Sequence, residues 1–356
     1  MLREFTIANF KCFSEFSIRE LGQINIIAGL NNVGKTALLE ALFLHAGYFN
    51  PWLTMNINNF RGIEHFRFDH EVMWGWLFHN HDMDKEINLS ATTDTGVKSC
   101  LKVGLQPVPE TPLSEGAKVP ENVSGATVAA VSIARQLTYE YQNASGKQER
   151  NAVSLTKDGK LQLASPPTGK SAANFIPPRK RFFDEDAEQF DVLNRARRQT
   201  ELVEMAKIFE PRLNGLSIST AWGRASIVAD IQGLPELMPL PYAGEGMTRF
   251  VSILLRILPA KGGIVLIDEI ENGFHHTVLP KVWAAIAETA RKAQVQVFAT
   301  THSAECVSAA QTGAPTLLAE QGLVLHRLER TKGGIQAKSY SKEQLSRIIE
   351  AKFEVR

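Results

Sequence analysis

Cysteine is scarce: Cys12, Cys100 and Cys306 lie far apart in 356 residues. Without a CxxC pair there is no cysteine zinc hook and no disulfide scaffold, and a reducing compartment is expected. Long apolar runs are missing as well. The longest, around residues 37–46, is broken by Glu40 and His45 and falls far short of the ~20 residues that span a bilayer. The start, MLREFTIANF, lacks a positive segment followed by an apolar one, so no secretion signal, no membrane and a cytoplasmic location are expected. Neither charge is in excess: 39 Lys and Arg stand against 38 Asp and Glu, a net charge of +1. That excludes polyanion binding through bulk charge and leaves room only for a local basic patch. No internal repeat recurs. No heptad runs for three or four turns, which excludes a long coiled-coil arm.

What is present fits a globular chain with a real core: 44% hydrophobic and 22% charged residues, in a length that allows one large or two modest domains. INIIAGL reads as a buried strand and residues 35–49 as a helix rich in Ala and Leu. Short strand-like patterns follow at 85–162 (EINLSA, LTYEYQ, AVSLTK, KLQLA), with NASGK and KDGK as hairpin turns. Residues 106–125 carry four prolines and read as a surface loop. A charged helical segment spans 184–209. The last third alternates strand and helix: helices at 247–258 and 278–292, strands in GGIVLIDE and VQVFATTHS. That alternation predicts an α/β fold with a parallel sheet and helical crossovers.

Three motifs carry chemistry. Gly29-Leu30-Asn31-Asn32-Val33-Gly34-Lys35-Thr36 fits G-x-x-x-x-G-K-[ST] between a strand and a helix. Its glycines let backbone N–H groups turn inward onto phosphate oxygens, and the helix N-terminus adds partial positive charge. Lys35 is expected on the β- and γ-phosphates of ATP, and the Thr36 hydroxyl on Mg²⁺. The strand Ile264–Ile267 ends in Asp268 and Glu269, on the sheet edge that the phosphate loop shares. Asp268 is expected to hold Mg²⁺ and Glu269 to act as general base. His302 closes FATTHS at the end of a neighbouring strand, in reach of the γ-phosphate. His79 and His81, near Asp82 and Asp84, read as a loop rather than a metal site. His275 and His276 read as packing or interface residues.

Together these residues resemble the ABC-class ATPases of the RecF, chromosome-maintenance (SMC) and OLD type. FTIANFKCFSEFSI…INIIAGLNNVGKTALLEAL is similar to that group's N-terminal half-site, LIDEIENGFHHTVLPKVW to its Walker B and D-loop region, and FATTHSAE to its switch-histidine region. Within the group the chain looks most like stand-alone AAA-type ATPases linked to anti-phage systems. The resemblance implies a P-loop NTPase head with an inserted β-rich and helical subdomain. It is divided into residues 1–84, a β-rich insertion at 85–178, a helical segment at 179–215, the second half of the head at 216–310 and a tail at 311–356. It also implies a signature segment read across a dimer. The candidate is Gly244, Glu245 and Gly246 before an apolar helix, with Gly244 where Ser is usual. Backbone N–H groups and the helix dipole there can still bind phosphate. Lys11 matches a basic position common in the group after the Asn-Phe pair, and the resemblance implies a place near the nucleotide.

OLD-type proteins add a TOPRIM nuclease, which needs further acids. Asp268 is the last aspartate in this chain, which excludes a C-terminal TOPRIM site. Residues 322–356 carry eight Lys and Arg against four Glu, a mild basic bias. The resulting expectation is an ATPase that forms a homodimer or higher oligomer around ATP. It would switch a separate effector protein, a TOPRIM-type or other nuclease, in anti-phage defence. The alternatives are a RecF-like repair factor that binds nucleic acid, and an ATP-dependent scaffold with negligible turnover.

Overall fold

The computed structural model describes residues 1–63, 69–108, 135–155, 161–167, 169, 172–179, 183–221, 223–315, 322–340 and 344. Most of the loop expected at 106–125, the turn at 157–160 and the helix expected at 342–352 lie outside the described residues.

Seven strands form an antiparallel sheet. β1 (Leu2–Phe10) lies between β2 (Phe13–Arg19) and β4 (Ile87–Thr93), and the sheet continues through β5 (Lys98–Pro107), β6 (Arg135–Gln142), β7 (Gln148–Leu155) and β8 (Leu161–Leu163). Strands β4 to β8 of the β-rich stretch expected at 85–178 thus share a sheet with the N-terminal hairpin, because β4 pairs with β1 from Leu2 to Ala8, whereas Ala173–Ile176 of that stretch joins the second sheet. Alternation marks which face of a strand is buried but says nothing about its neighbour.

The second sheet has the order β16 (Gly334–Tyr340), β15 (Leu323–Thr331), β3 (Ile24–Gly29), β14 (Gln296–Thr300), β13 (Ile264–Ile267) and β9 (Ala173–Ile176). All neighbours from β15 to β9 are parallel, and β16 returns antiparallel. A small third sheet joins β10 (Leu213–Ser219), β11 (Ser226–Ile231) and β12 (Met238–Pro239).

Helices cover both faces of the parallel sheet. On one face α1 (Lys35–Ala46), with α2 (Leu53–Phe60) and α3 (His70–Trp74) nearby, separates it from the antiparallel sheet. On the other lie α4 (Phe183–Arg195), α5 (Gln199–Ala206), α6 (Glu245–Ile257), α7 (Leu279–Ala293) and α8 (Ala304–Gly313). Successive strand residues divide between the two cores. Val265, Ile267, Val297 and Ala299 enter the α6–α7 side, while Leu266 and Phe298 enter the α1 side. Coverage on both faces explains why these strands read as unbroken apolar runs. α1 is buried on all sides from Ala37 to His45, as a helix between two sheets must be. It ends at Ala46, where Gly47 caps it through Phe43 O, three residues short of the expected end. The charged segment at 184–209 is two helices, interrupted where Arg197 turns to φ +56°. Among the described residues no helix is long and apolar enough to cross a membrane.

This topology brings distant chain segments to one edge. β3 ends at Gly29, β13 just before Asp268 and β14 at Thr300, all pointing the same way. The LVLHRLER segment of the tail is β15, hydrogen-bonded beside β3.

Two buried histidines make the fold acid-sensitive. Burial holds His45 neutral, with its pKa pushed down to about 4, and His326 likewise, down to about 3. In the unfolded chain both protonate near pH 6.5. Between pH 6.5 and about 4 the unfolded state therefore binds more protons, and stability falls as pH falls. The slope is about 1.4 kcal/mol per pH unit for each histidine. Urea unfolding from pH 7.5 to 5 should show this loss, and His326→Gln should remove one histidine's share of the slope. A variant with the wild-type slope would show that His326 is not held neutral.

Candidate functional site

Local sterics shape the phosphate loop. Gly29 leaves β3 at φ +144°, and a Cβ there would lie 2.6 Å from Leu328 O. Gly34 caps α1 at φ +95°, where a Cβ would lie 2.7 Å from the Phe13 ring and 2.8 Å from Cys12 Sγ. The β1–β2 turn and β15 therefore close on the loop from two sides, and only glycine fits at either point. Asn32 is also left-handed, at φ +62°. Val33 is buried beneath the loop. Having no side chain, Gly34 leaves the first N–H groups of α1 open to an anion. Lys35 curls back, its Nζ donating to Gly29 O at 2.8 Å and Leu30 O at 2.9 Å. Burial lowers its pKa, against the opposing pull of Asp268, Glu269 and Glu271.

The acidic strand end meets this loop. Thr36 Oγ1 donates to Asp268 Oδ2 at 2.9 Å, and Thr300 Oγ1 donates to Asp268 Oδ1 at 2.5 Å. β14 lies between β3 and β13, so Thr300 stands between the loop strand and the acidic strand. Burial raises the Asp268 pKa, and the hydrogen bonds from Thr300 and Thr36 oppose that shift. Glu269 turns away at φ +48°. Its N–H donates to Thr300 Oγ1 at 2.8 Å, and Asn272 Nδ2 donates to its Oε2 at 2.7 Å.

Arg249, fully buried on α6, holds this turn from behind. Its Nη2 donates to the carbonyl oxygens of Asp268 (2.8 Å) and Glu269 (2.9 Å), and its Nη1 to those of Pro177 and Pro178 (3.3 and 3.1 Å). Sequence reading reaches Arg249 only as the end of the signature candidate 243–249 and gives it no role of its own. Only its place in an apolar helix, where a cation needs partners, hinted at one.

A cavity of about 1050 Å³ opens over the loop, lined by Asn31, Asn32, Gly34, Lys35, Thr36, Asp268 and Glu269 among others. Lys11 and Arg61 are in its wall, both paired with the buried Glu40 of α1. Lys11 Nζ lies 2.7 Å from Oε2 and Arg61 Nε 2.6 Å from Oε1. Burial lowers the Lys11 pKa and the Glu40 carboxylate opposes this; the hydrogen bond to Glu40 raises that of Arg61. Sequence reading missed Glu40 and Arg61. A second cavity of about 580 Å³ shares Thr36, Asp268 and Glu269 and is edged by Arg61 and Arg179.

His302, Gly244, Glu245 and Gly246 line neither of these cavities. His302 is half exposed, with its Nδ1 3.0 Å from Glu271 Oε1 and its N–H donating to the same oxygen at 2.9 Å. Gly244, Glu245 and Gly246 start α6, with Gly244 at φ +104°. A Cβ on Gly246 would lie 2.8 Å from Gly273 O, so this helix start presses on the turn that follows the acidic pair. His79 Nδ1 bonds Lys11 O at 2.8 Å, and His275 and His276 lie ring to ring at 4.2 Å.

Comparison with known proteins gives the following. A family model described as an AAA domain matches residues 4–218, more than half of the chain. Another, described as AAA domain, putative AbiEii toxin, Type IV TA system, matches residues 143–308. An "ATP/GTP phosphatase" of Helicobacter pylori is 23% identical over 338 residues, 86% of each chain. An uncharacterized protein of Methanocaldococcus jannaschii is 50% identical over 44 residues, 12% of this chain and 20% of its own. Among solved structures, an SMC head bound to the C-terminal winged-helix domain of ScpA gives a TM-score of 0.49 at 11% identity, covering 98% of this chain and 99% of its own. The SMC head domain of Thermotoga maritima gives 0.41 at 12%, covering 96% and 99%. At these scores the likeness is coarse, and the strand order and site geometry above stand without it.

The Arg249 clamp is testable. Arg249→Ala leaves four carbonyl oxygens without this donor and opens a cavity, and should cost roughly 2–5 kcal/mol in urea unfolding. Arg249→Lys should recover little, because one ammonium cannot span both carbonyl pairs as the guanidinium fork does. Full recovery by Lys would show that charge alone matters there.

Proposed function

The chain belongs to the AAA domain family, and from that premise we propose that it hydrolyses ATP at the phosphate loop and uses the bound nucleotide as a switch between two copies of itself. The observation that carries this reading is the 2.9 Å contact of Thr36 with Asp268 beside Lys35. It places a hydroxyl, a carboxylate and an ammonium at one open edge. The α1 N–H groups and Lys35 hold the β- and γ-phosphates. Thr36 and Asp268 offer hard oxygen donors, the set that suits Mg²⁺, and these two residues would hold it. Bound there, the ion supplies neutralising charge on the phosphates. Glu269 accepts the proton of the attacking water, oriented by its own backbone turn and by Asn272. Glu271 holds His302 by its Nδ1, leaving Nε2 to reach the γ-phosphate.

Gly244, Glu245 and Gly246 serve the nucleotide of the opposite copy, through the N–H groups at the start of α6. The contact of Gly246 with Gly273 and the Arg249 clamp then connect that phosphate to the acidic turn. The output passes to a separate effector, a TOPRIM-type or other nuclease, and the setting is anti-phage defence. In this reading the chain itself does not cut nucleic acid, since Asp268 and Glu269, the acids gathered at the phosphate loop, serve the nucleotide.

Glu269→Gln tests this. It should keep ATP affinity while slowing hydrolysis by about 10²-fold or more, and an ATP-dependent dimer should accumulate in light scattering. Wild-type turnover would remove Glu269 as the base and make Glu271 the next candidate. Slow turnover with no gain in size would overturn the two-copy switch.

A further inference from the structure

The phosphate loop accounts for one end of the 1050 Å³ cavity. Another part of its lining comes from the segment 72–81, and the largest side chain there is Trp76. This indole is 75% exposed, yet it lines the cavity that contains Gly34, Lys35 and Thr36. Its position is set. His81 meets it edge-to-face at 4.9 Å and 74°. Gly75 has no room for a side chain, because a Cβ would overlap the His81 imidazole. Val72, Met73 and Leu77 continue the apolar wall beside it.

This wall is tied to the phosphate loop itself. Lys11 N–H donates to Leu77 O at 2.8 Å, His79 Nδ1 bonds Lys11 O, and Phe78 bridges to Phe10. The next residue of that turn, Cys12, is the one whose sulfur closes on Gly34. Trp76 and the loop are therefore held to one common turn, and a molecule gripped at its phosphates has a fixed distance to the indole.

We propose that Trp76 is the platform on which the nucleobase stacks. This rests on the reading that the loop binds nucleoside triphosphates. An aromatic face contributes affinity through a π-surface that every base possesses. The site thus holds purine nucleotides by stacking, and ATP and GTP depend on Trp76 alike. Because the indole is largely exposed, its removal disturbs little packing.

The test is calorimetric titration of the full chain with ATP, GTP and inorganic tripolyphosphate, for the wild type, Trp76→Ala, Trp76→Phe and Lys35→Ala. Trp76→Ala should weaken ATP and GTP by about 5- to 100-fold, the range for a lost base stack, and leave tripolyphosphate unchanged. Trp76→Phe should restore most of the loss. Unchanged ATP and GTP affinity, loss for one of them alone, or equal weakening of tripolyphosphate would overturn the platform. Lys35→Ala separates the two readings. If it weakens all three ligands while Trp76→Ala weakens none, the loop stands and the base subsite falls; if it weakens none, the loop reading itself falls.

Discussion

The carboxylate of Asp268 is the constraint around which the site is arranged. It is nearly buried, and a buried carboxylate is costly unless donors surround it. Thr36, on the first turn of α1, and Thr300, at the end of β14, supply those donors. The two hydroxyls come from segments 232 and 32 residues away. Satisfying one acid therefore aligns the phosphate loop, the acidic strand and the strand between them. Arg249 secures the same residue from the other side through its carbonyl oxygen.

The surroundings repeat this pattern. Glu40 sits in the middle of α1 with a fully buried carboxylate, and Lys11 and Arg61 converge on it from the β1–β2 turn and the end of α2. Three charged groups replace what would otherwise be apolar filling. An apolar core is usually as stable as such a triad. What the triad adds is position: two cations are held in the wall of the cavity over the phosphate loop, with their charge partly offset.

The same economy gives the proposed switch a physical route. Gly246 presses on the Gly273 carbonyl, Phe209 touches both Phe250 and Phe274, and Arg249 joins α6 to the carbonyl oxygens beside the acids. A phosphate engaged at the start of α6 would pull on a helix bonded directly to the turn that carries Asp268 and Glu269. Packed contacts of this kind respond in steps rather than by gradual deformation.

Much of the site was legible in the residues themselves. Gly29, Gly34, Lys35 and Thr36 could be placed on a loop between a strand and a helix because the G-x-x-x-x-G-K-[ST] pattern is a short, local spacing. The apolar run before Asp268 and Glu269 showed a strand end for the same reason. Both inferences need only neighbours in sequence. The Thr300–Asp268 bond, the Arg249 clamp, the Glu40 triad and the Trp76 wall join residues whose separation carries no period. So does the placement of β15 against β3 and of β4 against β1. Those depend on strand order, which is settled by how two apolar faces and a helix buried on all sides can be covered at once. The sequence alone pointed to the residues for phosphate chemistry at one edge of an α/β sheet. Only the tertiary structure decided which distant groups hold that chemistry in place, because burial makes each polar group there find its partner wherever the fold brings one.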